Sequence, residues 1–437
     1  AGDGGRGGSE RLAWAARRAG RRDGRDAMTA AERWLARHGT TLIWILTAVA
    51  GCALVLEFGL LDRPQDAWAG LLVAALFGIT LSLGGALFLG VTLATAARWS
   101  VPLRVVALNL ARALIVPLIA LGLCLGLGLT SLYPWSQAAV VDDSTLLQGK
   151  TAWLNVPLFL GRAALITLAW LGFVAAFKRR VLAVAADPTE QGERRLWRLA
   201  IGFLVVFGIT ISVAWCDWGM SLEPKWFSTM FGVYGFAGTF QGGIAAVTVA
   251  ALLFNSRGQL GFRTTPELRH DLGRLLLAFS LFWAYIWYSQ FMLIWYADLP
   301  EETPYFATRL SNGWSVPFLL NAVVNFGVPF FVLLPARAKR HPTILLQVAL
   351  IVILGRWFDA YLLVVPASGA PASFPIYALT ASAAVLLGIV AVFRSKARAS
   401  RPLGPGSARG DLHQREGAPI EGAFEHHRGA AVLDQGR

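Results

Sequence analysis

Long apolar runs fill the chain between residues 41 and 393 and limit what it can fold into. A helix that crosses a hydrocarbon layer about 30 Å thick needs roughly 20 apolar residues. The segments that meet this requirement are 41–60, 70–97, 103–129, 154–177, 197–217, 229–254, 268–297, 309–334, 343–364 and 374–393. Because backbone groups inside lipid must be hydrogen-bonded within the protein, these runs predict an all-α integral membrane protein with ten transmembrane helices.

Basic residues are distributed unevenly among the segments that connect the runs. The termini and the even-numbered loops carry 32 of the 39 Lys and Arg residues. The odd-numbered loops carry ten acidic residues and only four basic ones, which are Arg63, Lys150, Lys225 and Arg309. Lys and Arg are retained on the cytoplasmic side during insertion, so the asymmetry places both termini in the cytoplasm. An even number of spans agrees with that placement.

The net charge of +13 does not indicate a nucleic-acid partner. The basic residues lie in short loops between apolar runs rather than on one soluble face, and 56% of the residues are hydrophobic. Topology and attraction to the anionic lipid bilayer account for this distribution of charge. We therefore predict lipid as the surrounding medium and no nucleic acid.

Ligands for redox centres are missing from the apolar runs. The six His residues lie at cytoplasmic loops, helix ends or the tail, and the three Cys residues are isolated. A membrane haem is usually held by His ligands within helices, and an iron–sulfur cluster by several Cys residues. We predict that this chain binds no metal, haem or cluster, so electrons in any redox reaction would travel through a partner.

The two ends differ in composition from the apolar core. Residues 1–40 are rich in Arg, Gly and Ala, and we expect a basic, disordered extension there, with Met28 as a hypothetical natural start. Residues 41–393 form the predicted ten-span membrane domain. Gly, Pro and charged residues dominate the segment 394–437, which we expect to be a disordered cytoplasmic tail.

Charged residues inside the apolar runs are the first functional candidates, because an ionised group in lipid costs several kcal/mol unless it is paired or hydrated. Arg356 and Asp359 are three residues apart in the ninth run, which predicts a pair on one helical face. Either a structural salt bridge or a station on a proton path would explain the pair. Asn321 and Asn325 share a face of the eighth run, and hydrogen bonding between helices is the simpler account of both.

Two other arginines and the seventh run add candidates. Arg112 and Arg162 lack an acid one helical turn away, so they must find acceptors on other helices or in water. The seventh run carries His270, Asp271 and Arg274 at its inner end, followed by Tyr285. These residues predict either the lining of an aqueous half-channel from the cytoplasm or an interfacial cap with aromatic anchors.

Two odd-numbered loops combine acids with aromatic residues. The candidates for docking a protein on the outer face are Trp218, Glu223, Trp226, Asp298, Glu301 and Glu302. An ordinary interfacial aromatic belt is the alternative explanation for the Trp residues.

Three strings in this part of the chain resemble a known family. They are SLEPKWFSTMFGVYGFAGTFQGG (221–243), WYSQFMLIWYADLPEETPYF (287–306) and HPTILLQVALIVILGRWFDAYLLVVP (341–366). They resemble the second NrfD-type (polysulfide-reductase-like) membrane subunit of alternative complex III, the bacterial quinol:cytochrome c oxidoreductase. The resemblance covers about 41–393 and not the two ends.

The resemblance implies two four-helix bundles, spans two to five and six to nine, flanked by the first and last helices. It implies a location in the bacterial cytoplasmic membrane as a multi-pass protein. The implied partners are a paralogous membrane subunit, an iron–sulfur subunit and multihaem cytochrome subunits, which would carry the haem and the clusters. It also implies contact with quinone or quinol and a possible proton route.

A secondary transporter is the alternative from another class. Its substrate site would lie near the midplane at broken helices, and Pro117 and Pro329 fall inside predicted spans. A purely structural subunit is a third interpretation. The residues alone leave these alternatives open.

Overall fold

The computed structural model describes residues 39–53, 64–255, 264–369, 372 and 375–399. Within these residues the chain is helical and contains no β-strand. Its principal helices are α1 (Gly39–Ala53), α2 (Pro64–Ala94), α3 (Arg98–Leu127), α4 (Val156–Ala186), α5 (Glu190–Trp218), α6 (Phe231–Asn255), α7 (Pro266–Ala297), α8 (Ser315–Leu333), α9 (Pro342–Val364) and α10 (Ile376–Ala399).

Shorter helices lie in the connections. They are Leu129–Leu132, Ala138–Asp142 and Thr145–Lys150 before α4, Pro304–Leu310 before α8 and Ala336–Arg340 before α9. We call the helix ends that meet the odd-numbered loops outer and the opposite ends inner.

In the described part of the chain, nine of the principal helices, α2 to α10, are long and apolar enough to cross a membrane. The multi-pass character predicted from the sequence is therefore confirmed. Helix α1 is apolar but short, and residues 54–60 of the first predicted span lie outside the described residues. The count of ten spans and the sidedness of the termini remain predictions. Met28, the rest of segment 1–38 and the tail from residue 400 also lie outside the described residues.

Capping residues set the starts of several helices. The side chains of Asn155, Thr189 and Thr265 accept hydrogen bonds from backbone N–H groups three residues later. Each such bond satisfies an N–H that has no partner inside its own helix. Pro266 at the first position of α7 and Pro157 at the second position of α4 reinforce these starts, because the missing N–H costs nothing in the first turn.

Helix ends differ from the predicted boundaries where helices continue into water. Helix α4 continues through Lys178–Arg180 to Ala186, and α5 already begins at Glu190. Helix α10 continues to Ala399, so residues 394–399 of the predicted tail are helical. Hydropathy marks only the lipid-facing part of a helix, and Lys, Arg and Glu are good helix formers outside it.

The predicted eighth span, 309–334, consists of two helices. The short helix Pro304–Leu310 ends before Asn312 and Gly313, which have positive φ angles of 50° and 83°, and α8 starts at Ser315. Left-handed Asn and Gly commonly stop a helix, which explains the break.

Two spans contain the helix irregularities that their prolines favour. Helix α3 has a 3₁₀ turn at Arg112–Leu114, shortly before Pro117. Helix α8 has a π turn at Val323–Gly327, shortly before Pro329. Proline removes one N–H donor from a helix, and neighbouring 3₁₀ or π turns compensate for the lost bond.

The helices pack as two four-helix groups. Helices α2, α3, α4 and α5 contact one another in sequence and close with α2 against α5, and α6 to α9 repeat this arrangement. Helix α10 packs on α2 and α3, and α1 packs on α10 near Gly388. This is the arrangement that the family resemblance implies.

Helices α2 and α6 form the buried centre where the two groups meet. Gly84 and Gly243 lie at their crossing, where a Cβ on either residue would come within 2.4 Å of a backbone atom on the facing helix. Small residues allow such close approach in lipid, where no hydrophobic force drives helices together.

Candidate functional site

A cluster of polar side chains lies inside the second bundle, α6 to α9. We call it the Asp359 cluster, and its members are Tyr234 and Gln241 of α6, Ser280 of α7, Asn321 and Asn325 of α8, and Arg356 and Asp359 of α9. All except Tyr234 are buried. Asp359 lies five residues before the outer end of α9 at Val364, or about 7 Å along the helix axis. Asp359 therefore lies in the outer half of the bundle.

Three donors surround the Asp359 carboxylate. Its Oδ1 accepts hydrogen bonds from Asn321 Nδ2 at 2.7 Å and from the Tyr234 hydroxyl. Its Oδ2 lies 3.3 Å from Nη1 of Arg356, which forms the predicted ion pair one helical turn away. Opposite charge and hydrogen bonds together make a carboxylate tolerable at this depth.

Arg356 connects the Asp359 carboxylate to Asn325 in the middle of α8. Its Nε donates to Asn325 Oδ1 at 2.8 Å, and its guanidinium lies 4.5 Å from the ring centroid of Trp283. Asn325 Nδ2 donates to Asn321 Oδ1 at 2.7 Å, which completes a ring of contacts back to Asp359. The Nη2 atom of Arg356 is buried and has no hydrogen-bond partner among the described residues.

The π turn of α8 contributes a backbone acceptor to the cluster. Gln241 Nε2 donates to the Asn325 carbonyl at 2.8 Å and to Ser280 Oγ at 2.9 Å. Single π turns in helices are frequent at functional sites, because they leave carbonyl groups without their usual helical partner. The turn therefore extends the polar cluster inward to Ser280 on α7.

Glycines provide the space that the Arg356 side chain occupies. A Cβ at Gly238 would lie 2.6 Å from Arg356 Nη1, and one at Gly242 would lie 3.2 Å from Arg356 Cγ. A Cβ at Gly355 would lie 2.5 Å from Asn325 Oδ1. Gly238 and Gly242 of α6 therefore leave room for a buried cation from α9.

Two small cavities adjoin Asp359. One of about 20 Å³ lies on its outer side and reaches Tyr305 and Arg309. The other, of about 10 Å³, lies beside Arg356 and Gly238. A water molecule needs roughly 10–15 Å³ measured in this way, together with polar partners. Both cavities are of the size for single water molecules rather than for an organic solute.

Arg309 closes the outer side of the larger cavity. It donates from Nε to the Leu362 carbonyl at 3.0 Å and from Nη2 to the Leu363 carbonyl at 3.1 Å, at the end of α9. Nη2 also forms an ion pair with Glu223 Oε1 at 2.7 Å. A cation is favourable at a helix C-terminus, where carbonyl groups lack partners.

Tyr305 completes this outer layer. Its ring lies 3.5 Å from the Arg309 guanidinium and stacks on Trp226 at 3.9 Å. Burial raises the pKa of Tyr305 to about 12, while the nearby Arg309 acts in the opposite direction. The hydroxyl therefore stays protonated at physiological pH. Neither Arg309 nor Tyr305 was among the predicted site residues; a lone Arg in an acid-rich loop was the available signal.

A second buried ion pair joins α4 and α5 in the first bundle. Arg162 holds Asp217 through Nε at 2.7 Å and through Nη2 at 3.1 Å, and Trp153 Nε1 donates to the same carboxylate at 2.9 Å. Of the two alternatives predicted for Arg162, an acceptor on another helix or in water, the structure shows the first. Arg112 instead contacts Asn109 on its own helix, at 3.4 Å.

The predicted proton-path residues separate into two groups. Arg356, Asp359 and Asn321 meet in the cluster. His270, Asp271 and Arg274 lie at the inner end of α7, and Asp271 is nine residues, or about 13 Å, from Ser280. Tyr285 is 64% exposed, so its side chain faces the outside of the bundle and not the interior of the second bundle. A helix turns 100° per residue, and polarity alone does not reveal which face is buried.

The predicted docking residues separate in a similar way. Trp218 and Trp226 are 2% and 4% exposed, so neither side chain belongs to an outer docking surface, and that prediction is wrong for both. Trp218 packs edge-on against Trp170 and its carbonyl accepts from the Tyr133 hydroxyl, and Glu223 pairs with Arg309. Asp298 and Glu301 are exposed and Glu302 is partly exposed, so these three remain available to a partner.

Among the described residues, no group of three or more His, Cys, Asp or Glu side chains has the arrangement of a metal site. Comparison of the sequence with protein-family models gives no match, and comparison with curated proteins gives none either. The geometry of the Asp359 cluster and the three strings of residues named above therefore carry the functional argument.

Proposed function

We propose that this chain is a membrane subunit, without its own redox centre, of a respiratory quinol:cytochrome c oxidoreductase complex of the NrfD type. In this proposal its own chemical contribution is proton handling at the Asp359 cluster. The supporting observation is that the three strings resembling the NrfD-type subunit converge on one place. Segment 221–243 supplies Glu223 and Tyr234, segment 287–306 supplies Tyr305, and segment 341–366 supplies Arg356 and Asp359.

Proton chemistry is the function that suits this geometry. A buried carboxylate that contacts a phenol, an amide and a guanidinium can hold or release a proton as its surroundings change. The neighbouring cavities have room for water, which relays protons between groups that do not touch. Hydrogen bonds extend from Ser280 to Asp359, and the cavity beside Asp359 reaches Arg309, so a proton route would depend on this part of the bundle.

The partners in this proposal are a paralogous membrane subunit, an iron–sulfur subunit and multihaem cytochrome subunits in a bacterial cytoplasmic membrane. Quinone or quinol would contact the assembly within the membrane. Asp298, Glu301 and Glu302 form the exposed acidic edge that we assign to a partner on the outer face. An acidic edge of this kind attracts a basic surface and raises the rate of encounter.

A secondary transporter is the second candidate, and the π turn of α8 favours it, because transporters bind substrates at irregular helices. The cavities beside that turn, of about 20 and 10 Å³, suit water rather than a solute. The oxidoreductase proposal therefore has more support.

The test is purification of the tagged full chain from its native membranes in a mild detergent. We expect haem-staining partners and quinol:cytochrome c reductase activity in the same fraction. A triple variant, Asp298→Lys, Glu301→Lys and Glu302→Lys, should reduce the recovery of the haem-staining subunits. Asp142→Lys with Asp143→Lys is the control, because both residues are exposed on another outer loop. Recovery of the chain without partners, together with solute uptake in vesicles, would contradict the proposal.

A further inference from the structure

A pocket of about 370 Å³ lies at the outer ends of α4 and α5, away from the Asp359 cluster. The residues that line it include Lys150, Trp153, Leu154, Cys216, Met220 and Phe227. Its volume is within the range of small-molecule sites, which run from roughly 300 to 1,000 Å³. Helix α4 begins at Val156 and α5 ends at Trp218, so the pocket lies where the hydrocarbon layer meets the outer headgroups.

Lys150 supplies the charge in this pocket. Its Nζ donates one hydrogen bond to the Pro224 carbonyl at 2.7 Å and lies 5.9 Å from the ring centroid of Phe227. An ammonium group has three donors, so two remain for a ligand. Burial lowers the pKa of Lys150 below the ordinary value of a lysine, which reflects a cation deprived of water.

Other buried or half-buried cations near the outer face already have carboxylate partners. Arg162 is paired with Asp217, and Arg309 is paired with Glu223. No carboxylate of the described residues forms an ion pair with Lys150. A half-buried cation without a carboxylate partner favours an anionic ligand, because pairing offsets the loss of water.

The rest of the pocket is suited to a hydrocarbon chain. Leu154, Cys216 and Met220 present apolar or weakly polar surface, and Trp153 and Phe227 are about half exposed at the rim. Aromatic rings of this kind are typical of the membrane interface, where one side of the ring meets lipid and the other water.

We propose that this pocket binds one anionic phospholipid of the outer leaflet. The phosphate contacts the Lys150 ammonium, and the glycerol and acyl region packs against Trp153, Phe227 and the apolar wall.

A second outer pocket, of about 440 Å³, differs from the first in the sign of its charge. It is also lined by apolar side chains, but Asp298 supplies its charge, which would repel the same lipid. The lipid site is independent of the proposed proton chemistry and of its partners.

The first test is native mass spectrometry of the full chain after exchange into detergent with added phosphatidylglycerol or phosphatidylcholine. We expect retention of phosphatidylglycerol in preference to phosphatidylcholine by wild type. Lys150→Gln should weaken this retention about fivefold, the effect of one lysine near anionic lipid. Lys225→Gln is the matched control, since Lys225 is exposed on the other outer loop beside the pocket, between α5 and α6, carries the same charge and does not line the pocket. Equal retention by Lys150→Gln and wild type would overturn the proposal.

The second test uses Cys216, which lines the pocket, as a reporter. In a Cys52→Ser background the remaining thiols are the half-buried Cys216 and the buried Cys124. Phosphatidylglycerol should slow alkylation of Cys216 by N-ethylmaleimide severalfold, and phosphatidylcholine should not. Protection by glycerol 3-phosphate alone would identify a site for free anions and contradict a lipid site. No protection by any of the three would also contradict it.

Discussion

Arg309 and Glu223, 86 residues apart in the chain, form an ion pair of 2.7 Å that closes the outer side of the cavity next to Asp359. The Arg309 side chain is 2% exposed and the Glu223 side chain 22%. Because Arg309 also binds the last carbonyl groups of α9, the pair connects an outer loop to the helix that carries Asp359. A single contact therefore joins the outer surface to the interior of the candidate site.

Removal of one partner of this pair should destabilise the protein strongly. Arg309→Met leaves the Glu223 carboxylate and two carbonyl groups without a donor, and we expect a loss of about 3–5 kcal/mol in the free energy of unfolding. Glu223→Gln keeps an acceptor and should cost about 1–2 kcal/mol. Unfolding of the detergent-solubilised chain, monitored by intrinsic tryptophan fluorescence, provides the measurement. Arg194→Met is the control, because its pair with Glu190 is largely exposed and should contribute little.

The crossing of α2 and α6 should not tolerate even one added methyl group. Gly84→Ala would place a Cβ 2.4 Å from the Thr239 carbonyl oxygen, and the backbone atoms there cannot rotate away. We expect a loss of about 1–3 kcal/mol or failure to accumulate in membranes. Gly122→Ala is the control, since a Cβ at Gly122 meets no atom within 4 Å. Equal stability of the two variants would contradict the close crossing.

The all-α membrane fold could be predicted from hydropathy and charge, because the thickness of the bilayer sets the length of every span. Segment 268–297, for example, is part of helix α7 as predicted. The break at Asn312 and Gly313 was not predicted, because an apolar run does not reveal a residue with positive φ. The three-residue spacing of Arg356 and Asp359 predicted their contact, because both residues lie on one helix.

Contacts between distant parts of the chain could not be predicted in the same way. Tyr234 is 125 residues from Asp359, and no local pattern connects the two. Trp226 was assigned to a surface because Trp is common at interfaces, but in this fold it stacks on Tyr305 inside the outer layer. The position of Trp226 depends on how α6 packs against the helix Pro304–Leu310. This packing could not be predicted from a single sequence.

Lys339 should make stability rise with pH. It is buried in the connector between α8 and α9, and its Nζ donates to the Leu333 and Leu334 carbonyls. Burial, followed by the charge of Arg274, lowers the pKa of Lys339 below its ordinary value of 10.5. Between its folded and unfolded pKa values, the unfolded chain binds more protons, so stability increases as pH rises through that window.

The pH dependence of stability that Lys339 causes can be measured directly. The melting temperature of wild type, compared with that of Lys339→Met, should increase as pH is raised from neutral toward 10.5. Lys396→Met, which changes an equally charged residue on the inner end of α10, is the control. A difference between wild type and Lys339→Met that stays constant over this range would contradict the assignment.

Asp359→Asn tests the proton-handling role without a large change in shape. The Asn oxygen can still accept from Tyr234 and Asn321, while the ion pair with Arg356 and the titratable group are lost. In the intact complex reconstituted into vesicles, we expect fewer protons translocated per quinol oxidised, with electron transfer retained. The measurement is a pH-sensitive dye together with cytochrome c absorbance.

Asp271→Asn tests whether a loss of proton translocation is specific to the Asp359 cluster. Asp271 lies at the inner end of α7, about 13 Å along the helix from Ser280, the nearest member of the cluster on that helix. We therefore expect wild-type proton stoichiometry in this variant. If both variants translocate protons like wild type, the cluster holds helices together and the subunit serves as a scaffold. If Asp271→Asn alone lowers the stoichiometry, protons travel along the inner end of α7 and not through Asp359.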